Sequence, residues 1–64
     1  MISEKELISL LNQVVAVEEK MEAAYRFLVE QLHTEEYRKQ FEKIADDEVF
    51  HANIARSLTA KLEK

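Results

Sequence analysis

Not one glycine, proline or cysteine occurs among the 64 residues of this chain. Glycine and proline are the residues that punctuate strands and tight turns, so an all-β or α/β fold has nothing to stand on here. The absence of cysteine excludes a disulfide framework and any thiolate metal site, whether a zinc ribbon or a rubredoxin-type iron centre. An all-α chain remains. At this length a monomer buries only about 60% of its unfolded surface, so association is expected. Thirteen acidic residues outweigh nine basic ones, for a net charge of -4. That balance argues against a nucleic-acid binder and against a polybasic membrane surface. Apolar residues make up 47% of the chain, yet no run approaches the roughly 18 of a membrane span. The opening MISEKELISLL lacks the basic leader and long apolar stretch of a signal peptide. A cytosolic location is expected.

Helix signals are local. Ser3 and Glu6 form a capping box, in which the hydroxyl accepts from the third helical N–H and the carboxylate reaches back. Good helix formers then run unbroken to about Leu32. His33-Thr34-Glu35-Glu36 is the one break. Thr34 can cap a second helix, with Glu35 and Glu36 where its dipole favours negative charge. His33 falls near the first helix's C-terminus, where a cation is favoured. The sequence thus predicts one helical hairpin over residues 1–64: a helix over 4–32, a turn at 33–35 and a helix over 35–63. Each helix would be about 43 Å long.

Each helix carries one seam with unbroken steps of four and three. The first is Leu7, Leu11, Val14, Glu18, Met21, Tyr25, Leu28, Leu32; the second is Tyr37, Phe41, Ile44, Glu48, His51, Ala55, Leu58, Leu62. This is the heptad spacing of bundle packing. A short connection makes the helices antiparallel neighbours. One hairpin leaves an apolar face bare, so two are expected to close into a four-helix bundle, with the homodimer as the smallest folded unit.

Glu18, Glu48 and His51 interrupt the seams. A lone buried carboxylate costs several kcal/mol unless it is paired or ligates a metal. Counting from residue 34, Glu18 lies about 24 Å along the first helix, and Glu48 with His51 about as far along the second. The three side chains should therefore meet near mid-height. A two-fold axis there would assemble a Glu from each of two helices and a Glu-x-x-His from each of the other two. That is the di-iron carboxylate pattern of ferritin-like bundles. Two divalent cations would balance the four carboxylates of a dimer, and the oxygen and imidazole donors suit iron or manganese. A bland account competes with this. Glu-x-x-His arises by chance in acidic helices, and a lone seam Glu can serve as a register device or a snorkelling rim residue.

The string Glu18-Glu19-Lys20-Met21-Glu22-Ala23-Ala24-Tyr25 is similar to the first ligand helix of bacterioferritins and rubrerythrins, where a ligand Glu precedes a Tyr by seven. Asp47-Glu48-Val49-Phe50-His51-Ala52 resembles their D-E-x-x-H-A helix. The match spans both helices but only half of a full bundle. That half-length resembles the encapsulated ferritins, whose two-helix subunits complete a ferroxidase centre on dimerising and form ring-like oligomers inside a nanocompartment shell. The resemblance implies Glu18, Glu48 and His51 as metal ligands and catalytic residues, with Glu48 bridging. It implies Asp47 as the acceptor behind a ligand imidazole and Tyr25 as a hydroxyl bonded to a ligand carboxylate. Tyr25 reads equally as a core tyrosine. Glu22 departs from the bacterioferritin pattern. It is either an auxiliary metal ligand or, by spacing, a rim carboxylate paired to Arg26. No C-terminal tail suited to shell targeting is present, so either a tail is missing or cargo loading is not the role. Without cysteine, rubrerythrin-type peroxidase chemistry lacks its usual electron donor.

The expected function is therefore ferroxidase chemistry: oxidation of Fe(II) by dioxygen at a di-iron site shared by two subunits, in iron storage or detoxification. Manganese could occupy the same donors. The alternatives are another di-metal oxidase or peroxide scavenger, and a metal-free structural hairpin dimer. Phe27 lies about 180° from Glu18 and Phe50 about 160° from Glu48, so both point outward. With Ile54 on the flank, they suggest an interface for a higher oligomer.

Overall fold

The computed structural model describes residues 2–63. It is a hairpin of two helices, α1 (Glu4–Gln31) and α2 (Glu35–Leu62), each 28 residues long. Ser3 opens α1 with both halves of the capping box: Glu6 N donates to the hydroxyl at 3.1 Å, and the Glu6 carboxylate accepts from Ser3. Each helix stops one residue short of its expected end, and the connection is residues 32–34. Leu32 and Thr34 close that turn in extended conformations, with ψ of 137° and 114°. No described residue has a positive φ, so the turn needs no glycine. Thr34 holds the N-cap position by its backbone alone. Arg38 N donates to the Thr34 carbonyl at 3.0 Å, and the hydroxyl makes no capping bond. That corrects the expectation of a threonine side-chain cap.

The hairpin measures 47 × 17 × 14 Å, with a radius of gyration of 14.8 Å. A compact globule of this length would have a radius near 11 Å, so a single chain is a rod with one helix–helix seam and no central core. Three heptad columns run along each helix. One faces the neighbouring helix: Ile8, Val15, Glu22 and Val29 on α1, and Arg38, Ala45, Ala52 and Thr59 on α2, all at least half-buried. Ala45 is fully enclosed, because the small side chain lets the helices approach closely. A middle column holds Leu11, Glu18 and Tyr25 against Phe41, Glu48 and Ala55. The third column turns away from the hairpin. Val14, Met21 and Leu28 on α1 and Tyr37, His51 and Leu58 on α2 are exposed there. Leu10, Val17 and Ile54 extend this face, and all three are exposed.

The opposite side is charged. Arg26 donates to Glu22 at 2.7 Å and reaches across to Asp46 at 3.1 Å. Glu22 and then Asp46 raise the already high pKa of its guanidinium. Arg56 reaches the other way, to Glu19, and donates to Asn53 at 3.1 Å. The hairpin thus has one face of ion pairs and one of bare aliphatic side chains. No described helix is long and apolar enough to cross a membrane.

Candidate metal centre

The middle of each helix carries the site. The midpoint of α1 falls at Glu18 and that of α2 at Glu48, so antiparallel pairing brings the two carboxylates to one height. His51 sits one turn beyond Glu48 and reaches the same level from the open column. One donor atom from each of Glu18, Glu48 and His51 lies within 4.8 Å of the others. His51 Nδ1 and Glu18 Oε2 are 3.5 Å apart.

The environment is graded. Glu48 is only 7% exposed, Glu18 is half-buried, and the His51 side chain is 54% exposed. The Oε2 atoms of both glutamates are buried and have no hydrogen-bond partner. The His51 contact does not satisfy Glu18, because 3.5 Å is long for an N–H···O bond and the pair does not meet hydrogen-bond geometry. Two glutamates, each with an orphaned buried oxygen, converge with one imidazole as a donor set that suits a divalent cation, and burial in this form is otherwise unfavourable. The residues present therefore fit a metal.

The remaining candidates lie around this cluster. Tyr25 stacks on Phe41 across the hairpin, with ring centroids 5.9 Å apart and planes at 23°. Among the described residues it makes no hydrogen bond to a ligand carboxylate, so the contact present is that of a core aromatic. Asp47 is exposed and pairs with Lys43 at 3.6 Å; within one hairpin it does not stand behind His51. Glu22 is held by Arg26 at 2.7 Å and lies outside the three-ligand group. His33 is exposed beyond the end of α1. Phe50 was singled out only as an outward residue. Its ring also lies 6.4 Å from that of His51, tilted by 54°. Adjacency in sequence was the only signal for that contact.

An apolar groove lined by Leu10, Gln13, Val14, Val17 and Glu18 runs along the open face of α1. One wall of the metal cluster therefore opens onto aliphatic surface. In comparisons with protein-family models, curated proteins and solved structures, the chain matches none.

Proposed function

We propose that this protein is a ferroxidase, oxidising Fe(II) with dioxygen at a two-iron site assembled when two hairpins pair through their open faces into a four-helix bundle. One observation carries the reading. Glu18, Glu48 and His51 converge within 4.8 Å at mid-height, with two buried carboxylate oxygens lacking any partner. The cluster lies beside an apolar, exposed face.

Iron is the substrate in this scheme. Two Fe(II) ions give one electron each to dioxygen, which takes up two protons and leaves as hydrogen peroxide. The protein's part is positional and electrostatic. Glu18 and Glu48 supply negative charge that favours the higher oxidation state, and His51 supplies a neutral nitrogen donor. The aliphatic walls limit water. Pairing two hairpins would double the ligand set and cover Leu10, Val14, Val17, Met21, Leu28 and Leu58. The similarity of the ligand strings to those of bacterioferritins and rubrerythrins supports the same reading. Phe27 and Phe50, 62% and 64% exposed, are proposed to join dimers into a larger assembly. Mineral storage would need that larger assembly, because two hairpins enclose no mineral cavity.

The test is anaerobic Fe(II) titration of the purified protein, followed by air, beside a Glu48→Ala/His51→Ala variant. The expected result is saturation at about one iron per chain, then ferric absorbance and peroxide that the variant does not produce. If neither protein binds iron, the glutamates are register residues in a structural dimer. Binding of manganese without iron oxidation would point to a different two-metal oxidase.

A further inference from the structure

We infer that Met21 is an oxidation site: its thioether takes an oxygen atom from peroxide released at the neighbouring cluster, and the sulfoxide so formed loosens the open face. The inference rests on the ferroxidase reading above and adds a limit on turnover to it.

Met21 stands three residues after Glu18 on α1. That spacing puts the two side chains on adjacent turns, about 60° apart round the axis and about 5–6 Å apart at Cβ. Met21 belongs to the open column, the one from which His51 reaches the cluster, and it is 38% exposed. A small molecule leaving the cluster by the open side therefore starts within reach of the Met21 sulfur. Little competes for it there. The chain has no cysteine, so no thiol draws off peroxide. Leu10, Val14, Val17, Leu28 and Leu58 share the open face, and saturated hydrocarbon side chains do not react with peroxide. The second methionine, Met1, lies outside the described residues.

The step balances with hydrogen peroxide as the only reagent. A sulfur lone pair attacks one peroxide oxygen, the O–O bond breaks and an S–O bond forms. Sulfur is oxidised by two electrons, peroxide is reduced, and the departing oxygen leaves as water with both protons. The product is methionine sulfoxide, polar and chiral, which sulfoxide reductases reverse. On a face otherwise aliphatic, the new S–O dipole needs a hydrogen-bond donor or water. Covering it with a second hairpin buries a polar group, which is unfavourable. Peroxide released within a pair of hairpins thus marks residue 21 and favours separation of the pair.

The test uses the full chain with Fe(II) in air, with catalase and free N-acetylmethionine present. Catalase removes peroxide that reaches bulk solution, and N-acetylmethionine reports what remains there. Cleavage after Lys20 and Arg26 isolates residues 21–26, with Met21 as the sole methionine, and mass spectrometry counts peptides carrying one added oxygen. Sedimentation before and after turnover reads pairing, in wild type and in Met21→Leu, which keeps the volume and lacks the sulfur. The expected result is Met21 oxidised at least about tenfold more than N-acetylmethionine, as proximity to the source dictates. The oxidation should need Fe(II) and dioxygen together and be absent from Glu48→Ala/His51→Ala. Oxidised wild type then sediments toward the single hairpin, while Met21→Leu oxidises iron equally and stays paired. Ferric absorbance with Met21 intact, or oxidised only to the level of N-acetylmethionine, overturns the inference and leaves the ferroxidase reading standing. Met21 oxidised with no change in sedimentation overturns the loosening. No ferric product from wild type removes the ferroxidase reading and the oxidant with it. A Met21→Gln variant checks the loosening without iron: it should pair more weakly than Met21→Leu, and equal pairing of the two counts against it.

Discussion

Glu48 is the residue whose burial and chemistry pull in opposite directions. It sits at the centre of α2, 7% exposed, with a carboxylate oxygen that none of the described residues satisfies. A leucine or methionine would fill that position at no desolvation penalty, so the glutamate is retained against packing. Glu48→Met is therefore expected to stabilise the metal-free protein by about 1–3 kcal/mol and to abolish its response to divalent cations. Urea unfolding in the presence of a chelator measures the first, and repetition with Mn(II) the second. A metal-free Glu48→Met protein less stable than wild type would mean that the carboxylate is satisfied in solution by a group the hairpin does not show. Glu22 provides the contrast. One turn from Glu18 and similar in chemistry, it is claimed by Arg26 at 2.7 Å, so its negative charge is already answered.

At the level of the helices, both N-termini offer a hydroxyl residue, but only Ser3 has a glutamate three residues on, where Thr34 has Tyr37, and the two behave differently. Ser3 accepts from Glu6 N at 3.1 Å and completes a reciprocal box. Thr34 makes no side-chain cap. Ser3→Ala should thus cost about 1 kcal/mol, while Thr34→Ala should change stability by only a few tenths. Paired denaturation curves at one protein concentration read the difference. Equal losses would show that the threonine hydroxyl caps α2 in solution. The charged faces of the helices also separate local from long-range effects. The Glu22–Arg26 pair is set by spacing along a single helix, whereas Arg26–Asp46 and Arg56–Glu19 depend on how far one helix is slid along the other.

For the whole molecule, the relevant fact is that an elongated hairpin has buried little more than three alanines, one valine and one glutamate. Such a chain gains much of its stability from whatever binds it. A cation that binds only the folded state contributes about 2.7 kcal/mol at a hundred times its dissociation constant. For a domain of this size that corresponds to a rise of about 10 °C or more in melting temperature. Thermal melts with Mn(II) and with chelator, at fixed protein concentration, should show this shift in wild type and not in His51→Ala. A melting temperature indifferent to chelator and metal would remove the cation from the stability of this protein.

The local sequence determined the helices, the capping box at Ser3, and the recurrence of apolar residues every three or four positions. These follow from propensity and periodicity within a single turn or two. It also determined that Glu18, Glu48 and His51 would meet, because a turn near residue 34 and a fixed rise per residue set their heights. The choice of side belonged to the tertiary structure. A heptad seam can bury either of its shoulders, and nothing local chooses between Val14 and Val15, or between His51 and Ala52. Packing chose Ile8, Val15 and Val29 against Ala45 and Ala52, where small residues admit the closest approach of the helices. That choice left Val14, Met21, Leu28, His51 and Leu58 facing outward. The same rotation buried Glu48 without a partner, left His51 half in solvent, took Tyr25 to Phe41 and turned Asp47 toward Lys43. Rotation about the helix axis is fixed only when two helices compete for the same volume, so no count along one chain could have supplied it.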